Sequence, residues 1–416
     1  MTGTVHVVGA GLAGLSAAVR LVEAGRKVVL HEGTRSAGGR CRSYHDTTLG
    51  LDIDNGNHLL LSGNKAALDY ARLIGGDAAL DGPKEARFDF ADLRTGARWT
   101  LHPNAGRVPW WILVPSRRVP GTRARDYLGP VGILRARAGQ TIGDVMACSG
   151  PLYDKLWQPV LLAALNTDPA ISAAALAAPV LLETLGAGGA ACRPLVATGG
   201  LSAAFVDPAL TFLRERGAEI RFGARLKGIG TGGGRATSLA FSDAPLPLSD
   251  KDQVVLAVPP WIAADLMPDL TVPDDFRGIV NAHFRIVPPA SQPLLVGVVG
   301  GLTEWLFAYP DRLSITISGA DRLFDMPREE LAATLWQEVM RLTGLGPELP
   351  PWQIVKEKRA TFAATPDQAR RRPGAETALS NLVLAGDWTD TGLPATIEGS
   401  IRSGDKAASV LQRGHG

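Results

Sequence analysis

The start of the chain alternates short apolar runs with one amphipathic segment. Thr4 to Val8 is a short apolar run, and Leu12 to Ala24 places apolar residues at the spacing of one helix face. Lys27 to Leu30 is apolar again and ends at the polar pair His31-Glu32. A strand, a helix and a second strand in this order are typical of a βαβ unit, whose strands lie parallel. The sequence therefore predicts an α/β fold that begins with a doubly wound sheet.

Apolar runs of the same kind return in the middle and at the end of the chain. Glu219 to Phe222 and Gln253 to Val258 are predicted strands, and Leu382 to Ala385 precedes a helix predicted from about Ala395 to Leu411. We therefore predict a discontinuous Rossmann-type domain and an interleaved α+β substrate domain. The first is assigned residues 1–62, 200–262 and 375–416, and the second residues 63–199 and 263–374.

The predicted substrate domain mixes helices and strands. The patterns indicate a helix at Asn64 to Ile74, a hairpin from Arg87 to Leu101 and a helix from Arg328 to Leu342. The Ala- and Leu-rich stretch from Gly150 to about Gly217 is predicted to be helical throughout, with prolines as breaks. Residues 141–199 would then be a mostly helical segment. The tryptophans expected in the core are Trp261, Trp305, Trp336 and Trp352.

Composition and charge narrow the possible functions. Lys and Arg (43) nearly balance Asp and Glu (41), and the net charge of +2 argues against a general nucleic-acid binder. The three cysteines show no metal-ligand spacing, so no metal site is predicted. No apolar stretch reaches the roughly 18 residues of a membrane-spanning helix, and the first strand leaves no room for a signal peptide. We expect a cytoplasmic protein that at most attaches to the inner face of the membrane.

A glycine-rich turn joins the first predicted strand to the first helix. Gly9, Gly11 and Gly14 form the pattern GxGxxG between a strand and a helix, which is the context that makes this pattern meaningful. The first glycine allows a tight turn, the second lets the backbone approach a pyrophosphate, and the third allows close helix–strand packing. The N–H groups at the helix start, at Leu12 and Ala13, favour an anion. The turn therefore predicts a dinucleotide site.

A second set of residues follows the second predicted strand. Glu32, followed by Gly33, is placed to accept hydrogen bonds from a ribose hydroxyl. Gly38 and Gly39 can bring a second backbone segment against the dinucleotide, and Arg40 can pair with a phosphate. Nicotinamide and flavin dinucleotides share the glycine turn, and this second segment favours a flavin.

The end of the chain supplies a matching motif. A predicted strand leads to Gly386-Asp387, which can place a carboxylate on the ribityl chain of a flavin. The N-terminus of the following helix, at Thr396, Ile397 and Glu398, can direct backbone N–H groups at the flavin ring. No cysteine lies in this closing motif, so we expect FAD to be bound without a covalent link.

One further glycine pattern is rejected. Gly228, Gly230 and Gly233 satisfy GxGxxG literally, but residues with strand character stand on both sides. A hairpin turn at 230–234 is therefore predicted, with no second dinucleotide site there.

Together these motifs resemble the amine oxidase/phytoene desaturase superfamily of FAD enzymes. The resemblance rests on the opening GAGLAG, the segment AGGRCRS and the closing AGDW…ATIEGSIRSG. Within that superfamily the chain is most similar to the squalene-associated branch, the hydroxysqualene dehydroxylases of bacterial hopanoid pathways. The segments similar to that branch are DNGNHLL at 54–60, KRATFAATP at 358–366 and TIEGS at 396–400.

The resemblance implies a reductive reaction on an isoprenoid. Hydroxysqualene would lose its allylic hydroxyl and receive a hydride from reduced FAD, which gives squalene. His58 is the proposed proton donor, with Asp54 beside it at the polar end of the site, although both side chains could equally serve only to bond the backbone. The resemblance also implies cofactor contacts at Gly56, Asn57 and Leu226.

The partners and two other functions stay open at this point. The substrate would be a hydrophobic C30 isoprenoid, and an external donor would have to reduce the flavin. Residues 107–125, rich in Trp and Arg, either contact a membrane surface or line the substrate pocket. An oxidative isoprenoid desaturase or amine oxidase of the same superfamily is the second interpretation, and a lipid carrier without enzymatic activity is the third.

Overall fold

The computed structural model describes residues 3–242 and 245–413 of the chain. The strands of this part of the chain are β1 (Thr4–Val8), β2 (Lys27–Glu32), β3 (Ser43–Asp46), β4 (Leu51–Asp54), β5 (Leu59–Leu61), β6 (Leu80–Asp81), β7 (Phe88–Asp92), β8 (Arg98–Leu101), β9 (Pro194–Ala197), β10 (Glu219–Phe222), β11 (Leu226–Gly232), β12 (Arg235–Phe241), β13 (Pro245–Pro247), β14 (Gln253–Leu256), β15 (Phe276–Arg285), β16 (Leu295–Val299), β17 (Trp305–Tyr309), β18 (Arg312–Ile317), β19 (Trp352–Phe362) and β20 (Leu382–Leu384). The α-helices are α1 (Leu12–Glu23), α2 (Lys65–Ile74), α3 (Val131–Leu134), α4 (Ile142–Val145), α5 (Gln158–Leu165), α6 (Ala174–Glu183), α7 (Asp207–Glu215), α8 (Pro260–Leu266), α9 (Arg328–Thr343), α10 (Pro366–Arg370) and α11 (Ile397–Arg413).

The first sheet is parallel and carries the glycine-rich turn. Its strand order is β10-β2-β1-β14-β20, and every neighbouring pair in it is parallel. The predicted α/β fold class is confirmed. The strands come from the three ranges assigned to the Rossmann-type domain, while the domain limits themselves stay a prediction.

Helices α1 and α11 pack tightly on this sheet and on each other. A Cβ atom at Gly404 of α11 would lie 2.2 Å from the backbone oxygen of Ala13 in α1. A glycine is needed there because only hydrogen allows two helix backbones to approach so closely. This contact joins the first helix of the chain to the last and so closes the domain around β1.

A second, seven-stranded sheet follows the order β19-β15-β18-β17-β16-β7-β8. Its pairs are antiparallel except β16 with β7. Side chains alternate between its two faces, as strand geometry requires. One face, including Val280, Leu313 and Ile315, packs against Leu335 and Trp336 of α9. The opposite face turns to the interior of the protein and contributes to the largest core cluster.

The expectation that residues 150–217 are helical throughout is wrong at β9. Pro194–Ala197 pairs antiparallel with β5, so that Leu59 lies opposite Val196, and also with β6. Two short π-helical segments, Tyr153–Trp157 and Ser202–Val206, further interrupt the α-helices. The helical composition of this stretch is overridden at β9, whose pairing with β5 and β6 satisfies backbone groups of all three strands.

The hairpin that was predicted in place of a second dinucleotide turn is present. Strands β11 and β12 pair antiparallel around Gly233 and Gly234, whose φ angles are 58° and 72°. Glycines are favoured at such positive φ values. The predicted helix of residues 64–74 and the hairpin of residues 87–101 correspond to α2 and to β7–β8.

Candidate functional site

The glycine-rich turn lies where β1, β14 and α1 converge. A Cβ atom at Gly9 would lie 2.3 Å from the Ala257 oxygen, and one at Gly14 would lie 1.9 Å from the Gly9 oxygen. At Gly11, by contrast, a Cβ would meet no described atom within 4 Å. Gly9 and Gly14 are thus required by packing of the chain itself, whereas Gly11 faces open space. That space is what a dinucleotide pyrophosphate needs beside the turn.

Helix α1 begins at this open space without a side-chain cap. Gly11 holds the N-cap position, and no acidic residue lies in the first turn. The first N–H groups of an α-helix, here those of Leu12 and Ala13, have no partner within the helix. They can therefore bind an anion, as the sequence predicts.

The Gly38-Gly39 segment lies directly against the glycine-rich turn. The Gly38 N–H donates to the Ala10 oxygen over 2.8 Å. A Cβ at Gly39 would come within 3.4 Å of the Gly11 Cα atom, and Gly38 and Gly39 have φ angles of 99° and 56°. The structure therefore brings both predicted backbone segments to one place.

Glu32 ends β2 beside the same turn. Its carboxylate accepts hydrogen bonds from the backbone N–H of Ala10 and of Thr34, each over 2.8 Å. The backbone oxygen of Glu32 accepts from Ala224, two residues before Leu226, and Gly33 faces Arg225. The predicted residues Glu32, Gly33 and Leu226 thus lie together at the carboxyl end of β2, and the contact of Glu32 with a ribose and of the other two with the cofactor stays a prediction.

Arg40 and Asp387 form an ion pair across 347 positions of sequence. The distance from Arg40 Nη2 to Asp387 Oδ1 is 2.7 Å, and Arg40 also donates to the Ala360 oxygen. Burial alone would lower the pKa of Arg40, but the Asp387 carboxylate more than offsets this and raises it. The sequence predicts separate roles for these side chains, on a phosphate and on the ribityl chain. The structure instead couples them, and those roles stay predictions.

A crevice opens at this ion pair. Its lining is mostly aromatic and apolar, with Arg40, Asp387 and Arg359 as the charged members; the others are Pro259, Pro260, Trp261, Phe276, Thr361, Phe362 and Trp388. Trp388 donates its indole N–H to the Val258 oxygen over 2.9 Å and so ties the Gly386-Asp387 turn to the end of β14. The crevice lies beside the carboxyl ends of β14 and β20, where ligands bind in open α/β sheets.

The side chain of Glu398 has a structural role, and the predicted contact of its backbone N–H with the flavin stays a prediction. Its buried carboxylate accepts from the backbone N–H groups of Ala66 and Ala67 over 3.1 and 2.8 Å, and from Arg402 over 2.8 Å. It therefore neutralises the start of α2, whose N-cap residue Asn64 makes no side-chain cap. For a cofactor this leaves the backbone N–H of Glu398 and of Ile397, at the start of α11.

Thr396 caps α11 in the usual way. Its hydroxyl oxygen accepts from the Gly399 N–H over 3.0 Å. The side chain is thus occupied by the helix, and a contact between Thr396 and FAD stays a prediction.

The DNGNHLL loop is held by buried polar contacts. The Asp54 carboxylate accepts from the Ser43 hydroxyl over 2.6 Å and from the Leu201 N–H over 2.9 Å. Asn57 donates to the Thr316 hydroxyl over 3.1 Å, and its N–H donates to the side chain of Asn281 over 3.3 Å. A Cβ at Gly56 would lie 3.2 Å from the Asn281 amide nitrogen. The loop is therefore fastened to the inner face of the seven-stranded sheet.

His58 lies in this loop with one ring nitrogen committed. Nδ1 is 2.9 Å from the Gly56 oxygen, and because a carbonyl only accepts, Nδ1 carries the hydrogen. Burial lowers the pKa of His58, and the charge of Asp54 works in the opposite direction. Burial raises the pKa of Asp54 against the hydrogen bond from Ser43. In the neutral imidazole Nε2 is then an acceptor, so a role of His58 as proton donor requires prior protonation.

The chain matches one protein family over almost its whole length. A family model described as flavin containing amine oxidoreductase matches residues 12–412. The chain belongs to this family. The resemblance stated from the motifs is confirmed. A flavin-binding family is consistent with the open space at Gly11 and with the crevice at Arg40 and Asp387. The cofactor is FAD.

The chain is similar in sequence to two proteins of one name and in fold to a solved amine oxidase structure. A protein named hydroxysqualene dehydroxylase from Rhodopseudomonas palustris is 56% identical over 412 residues, which cover 99% of each chain. One of the same name from Sinorhizobium fredii is 52% identical, over 99% of this chain and 98% of that protein. Cyclohexylamine oxidase from Brevibacterium oxydans superposes with a TM-score of 0.68 at 15% identity, over 99% of each chain, and so shows the fold alone.

Several crevice residues of this flavin containing amine oxidoreductase were not expected from the sequence. Trp305 and Trp336 are buried as predicted, but Trp261 lines the crevice, where its ring meets Phe276 edge to face at 5.2 Å. The Arg359 guanidinium lies 4.7 Å from the Trp261 ring. A proline pair before Trp261 and the position of Arg359 within KRATF were the only sequence signals, and neither points to a crevice.

Residues 107–125 contain one buried and one exposed tryptophan, and the choice between a membrane surface and a pocket lining stays open for this segment. Trp111 is buried and meets Tyr127 edge to face at 5.3 Å. Trp110 is 48% exposed, with the Arg117 guanidinium over its ring at 4.8 Å. Within residues 3–242 and 245–413, no helix is long and apolar enough to cross a membrane. The same ranges contain no group of His, Cys, Asp and Glu side chains that could hold a metal.

Proposed function

We propose that this chain converts hydroxysqualene to squalene with reduced FAD as the hydride source. The observation that carries the proposal is the identity of 56% and 52%, over nearly full length, to two proteins named hydroxysqualene dehydroxylase. A third protein of that name, from Zymomonas mobilis, is 46% identical over 97% of this chain. The substrate is thus a C30 hydrocarbon with one hydroxyl group.

The inner face of the seven-stranded sheet suits such a substrate. Residues that lie opposite each other in register point to the same face, and one such row crosses six strands. In the order of the strands the row is Asn281, Thr316, Trp305, Gly297, Phe90 and Trp99. It begins polar and continues aromatic. A molecule with one hydroxyl group and a long hydrocarbon chain likewise has one polar end and one apolar part.

The polar end of this row lies at the DNGNHLL loop. Thr316 donates to the Asn281 side chain over 2.8 Å, and both residues bond Asn57 of the loop. The hydroxyl would therefore lie near His58, with the hydrocarbon along the aromatic end. There Phe90 stacks on Trp99 at 5.5 Å and meets Trp305 edge to face at 5.8 Å.

The reaction balances with one hydride and one proton. The carbon–oxygen bond breaks, the hydroxyl oxygen takes a proton and leaves as water, and a hydride forms the new C–H bond. Reduced FAD supplies the hydride. The chain has to exclude water from the allylic cation and provide the proton, and the aromatic end of the row serves the first need. Aromatic faces can also stabilise a positive charge.

We assign the proton to His58, with Asp54 favouring its charged form. This assignment makes the rate rise as the pH falls through the pKa of His58, because only the protonated imidazole can donate at Nε2. His58→Ala should lose that dependence while it keeps FAD. A pH profile that is the same in His58→Ala and in the unchanged protein would exclude His58 as the donor.

We also propose that the substrate enters from a membrane surface at residues 107–134. The exposed large apolar side chains of this segment are Val108, Trp110, Leu113, Leu128, Val131 and Leu134. Exposed arginines lie among them, for example Arg107, Arg123 and Arg125. Exposed apolar groups with surrounding positive charge suit a bilayer with anionic headgroups. The donor that reduces the flavin is a separate molecule.

Product analysis tests the proposed reaction. The FAD-loaded protein is incubated anaerobically with dithionite and hydroxysqualene in D₂O and in H₂O, and the lipids are examined by mass spectrometry. We expect squalene in both, with one deuterium per molecule in D₂O, because the flavin hydride exchanges with solvent. Unchanged hydroxysqualene would contradict the proposal, and oxidation of added polyenes by the oxidised protein would support a desaturase.

A further inference from the structure

Arg372 is a buried positive charge that no carboxylate pairs with in the described part of the chain. It is 7% exposed, and its Nη2 atom donates to the backbone oxygens of Asp387, over 3.3 Å, and of Thr389. The same atom lies 3.2 Å from the Thr391 hydroxyl. The buried Nε atom has no acceptor within residues 3–242 and 245–413. All these partners are neutral, so the charge itself stays uncompensated.

The nearest acidic residues are unsuited to compensate it. The Asp387 carboxylate is engaged by Arg40 at 2.7 Å, and Asp390 is exposed. Burial lowers the pKa of Arg372 to about 10, against the attraction of Asp390 and Asp387, so the guanidinium remains charged at neutral pH. A buried charge without a partner is costly, and folds keep one mainly where something bound supplies the opposite charge.

Arg372 lies directly behind the crevice. Its guanidinium carbon is 4.9 Å from the centre of the Phe362 ring, and Phe362 and Asp387 both line the crevice. The backbone around it is fixed to the same turn, because the Asp390 N–H donates to the Pro373 oxygen over 2.8 Å. The Phe362 side chain and the turn at Asp387 therefore separate the charge from the crevice, where the proposed cofactor site would hold the flavin ring.

We infer that Arg372 stabilises the negative charge that two-electron reduction leaves on the flavin ring, and so raises the reduction potential of the bound FAD. Uptake of two electrons and one proton adds one net negative charge to the flavin. A fixed positive charge nearby favours that reduced form over the oxidised one. The inference depends on FAD binding alone and is independent of the identity of the substrate.

Two variants separate the charge of Arg372 from its hydrogen bonds. Arg372→Lys keeps the charge, whereas Arg372→Gln keeps a donor for the same carbonyls and loses the charge. The reduction potential of the bound flavin is measured at pH 7 by anaerobic titration with dithionite against a reference dye. Arg370→Gln is the matched control, since Arg370 is exposed and pairs with Asp367.

We expect the equilibrium for flavin reduction to fall at least tenfold in Arg372→Gln, which is about 30 mV for two electrons. Arg372→Lys and Arg370→Gln should stay near the potential of the unchanged protein. An unchanged potential in Arg372→Gln would overturn the inference. Equal shifts of the reduction potential in Arg372→Lys and Arg372→Gln would show that Arg372 has a purely structural role and would also overturn the inference. Loss of FAD from Arg372→Gln but not from Arg372→Lys, with an unchanged potential in the fraction that still holds FAD, would instead assign the charge to the phosphates and overturn the inference as well.

Discussion

Replacing Glu398 by Ala should destabilise the fold while FAD stays bound. The carboxylate accepts two backbone N–H groups at the start of α2 and the guanidinium of Arg402, and its side chain is almost fully buried. Arg402 also pairs with Glu183 at the end of α6. Glu398 therefore ties together one helix of the closing motif, the start of α2 and, through Arg402, the end of α6.

The expected loss can be estimated from what the change leaves behind. Without the carboxylate, two N–H groups stay unbonded in a buried position, and Arg402 loses one of its two acidic partners. Leaving a buried donor without its acceptor costs about 1–3 kcal/mol for each group, so the two N–H groups together cost about 2–6 kcal/mol. Arg402 adds little, because it is partly exposed and keeps Glu183 as a partner. Glu398→Gln keeps one acceptor oxygen and should lose less, about 1.5–3 kcal/mol. A single-domain stability is about 5–15 kcal/mol, so both losses are measurable.

Urea unfolding of the FAD-loaded protein, followed by tryptophan fluorescence, measures these losses. Flavin absorbance per protein gives the bound FAD in the same samples. Ser400→Ala, on the same helix and half-buried, is the control and should change stability by less than about 0.5 kcal/mol. The capping explanation is refuted if Glu398→Ala unfolds at the same urea concentration as the unchanged protein but has lost FAD. That result would assign the Glu398 side chain to the cofactor site, in addition to the backbone contact that the motif indicates.

Three further predictions concern the glycine-rich turn, a buried carboxylate and the exposed segment. Gly11→Val should abolish FAD binding and leave folding intact, because a Cβ atom there meets no described atom within 4 Å. Gly346→Ala, where a Cβ is equally free of contacts, should bind FAD normally, and retained FAD in Gly11→Val would refute the assignment of the turn. Burial raises the pKa of Glu304 from its ordinary 4.5 to about 7. Between these pH values the folded protein keeps a proton that the unfolded chain has released. The free energy of unfolding should therefore fall by up to about 3 kcal/mol as the pH rises from 4.5 to 7. Glu304→Gln should remove that fall in urea unfolding curves, and an identical pH dependence in both proteins would contradict the shift. The double variant Trp110→Ser with Leu113→Ser should sediment with anionic liposomes at least threefold less than the unchanged protein. Val287→Ser, which changes an exposed apolar side chain elsewhere, should sediment normally. Equal sedimentation of the unchanged protein and both variants would refute the membrane surface.

The features that the sequence predicts well are those whose cause is local. Gly9 and Gly14 can be assigned because the positive φ angle of Gly9 and the close approach of Gly14 to the Gly9 oxygen both arise within a few residues of chain. The hairpin at Gly233 and Gly234 follows from strand patterns on either side of it. In each case backbone sterics leave few alternatives, and neighbouring residues are enough to exclude them.

The features that the sequence misses depend on distant partners. Strand β9 forms by pairing with β5 and β6, which lie far from it in the sequence, and no pattern within Pro194 to Ala197 predicts that pairing. Arg40 meets Asp387 through the fold alone, so their separate roles could be predicted but not their ion pair. Glu398 belongs to a flavin motif in sequence, yet its carboxylate serves a helix that starts more than 300 residues earlier.

The most direct test of the proposed function is a single anaerobic turnover. The flavin is reduced with one equivalent of dithionite, hydroxysqualene is added, and the flavin spectrum is recorded until it stops changing, after which the lipids are extracted. The account predicts that the flavin reoxidises and that one squalene forms per flavin. A flavin that stays reduced, with hydroxysqualene recovered unchanged, would contradict it.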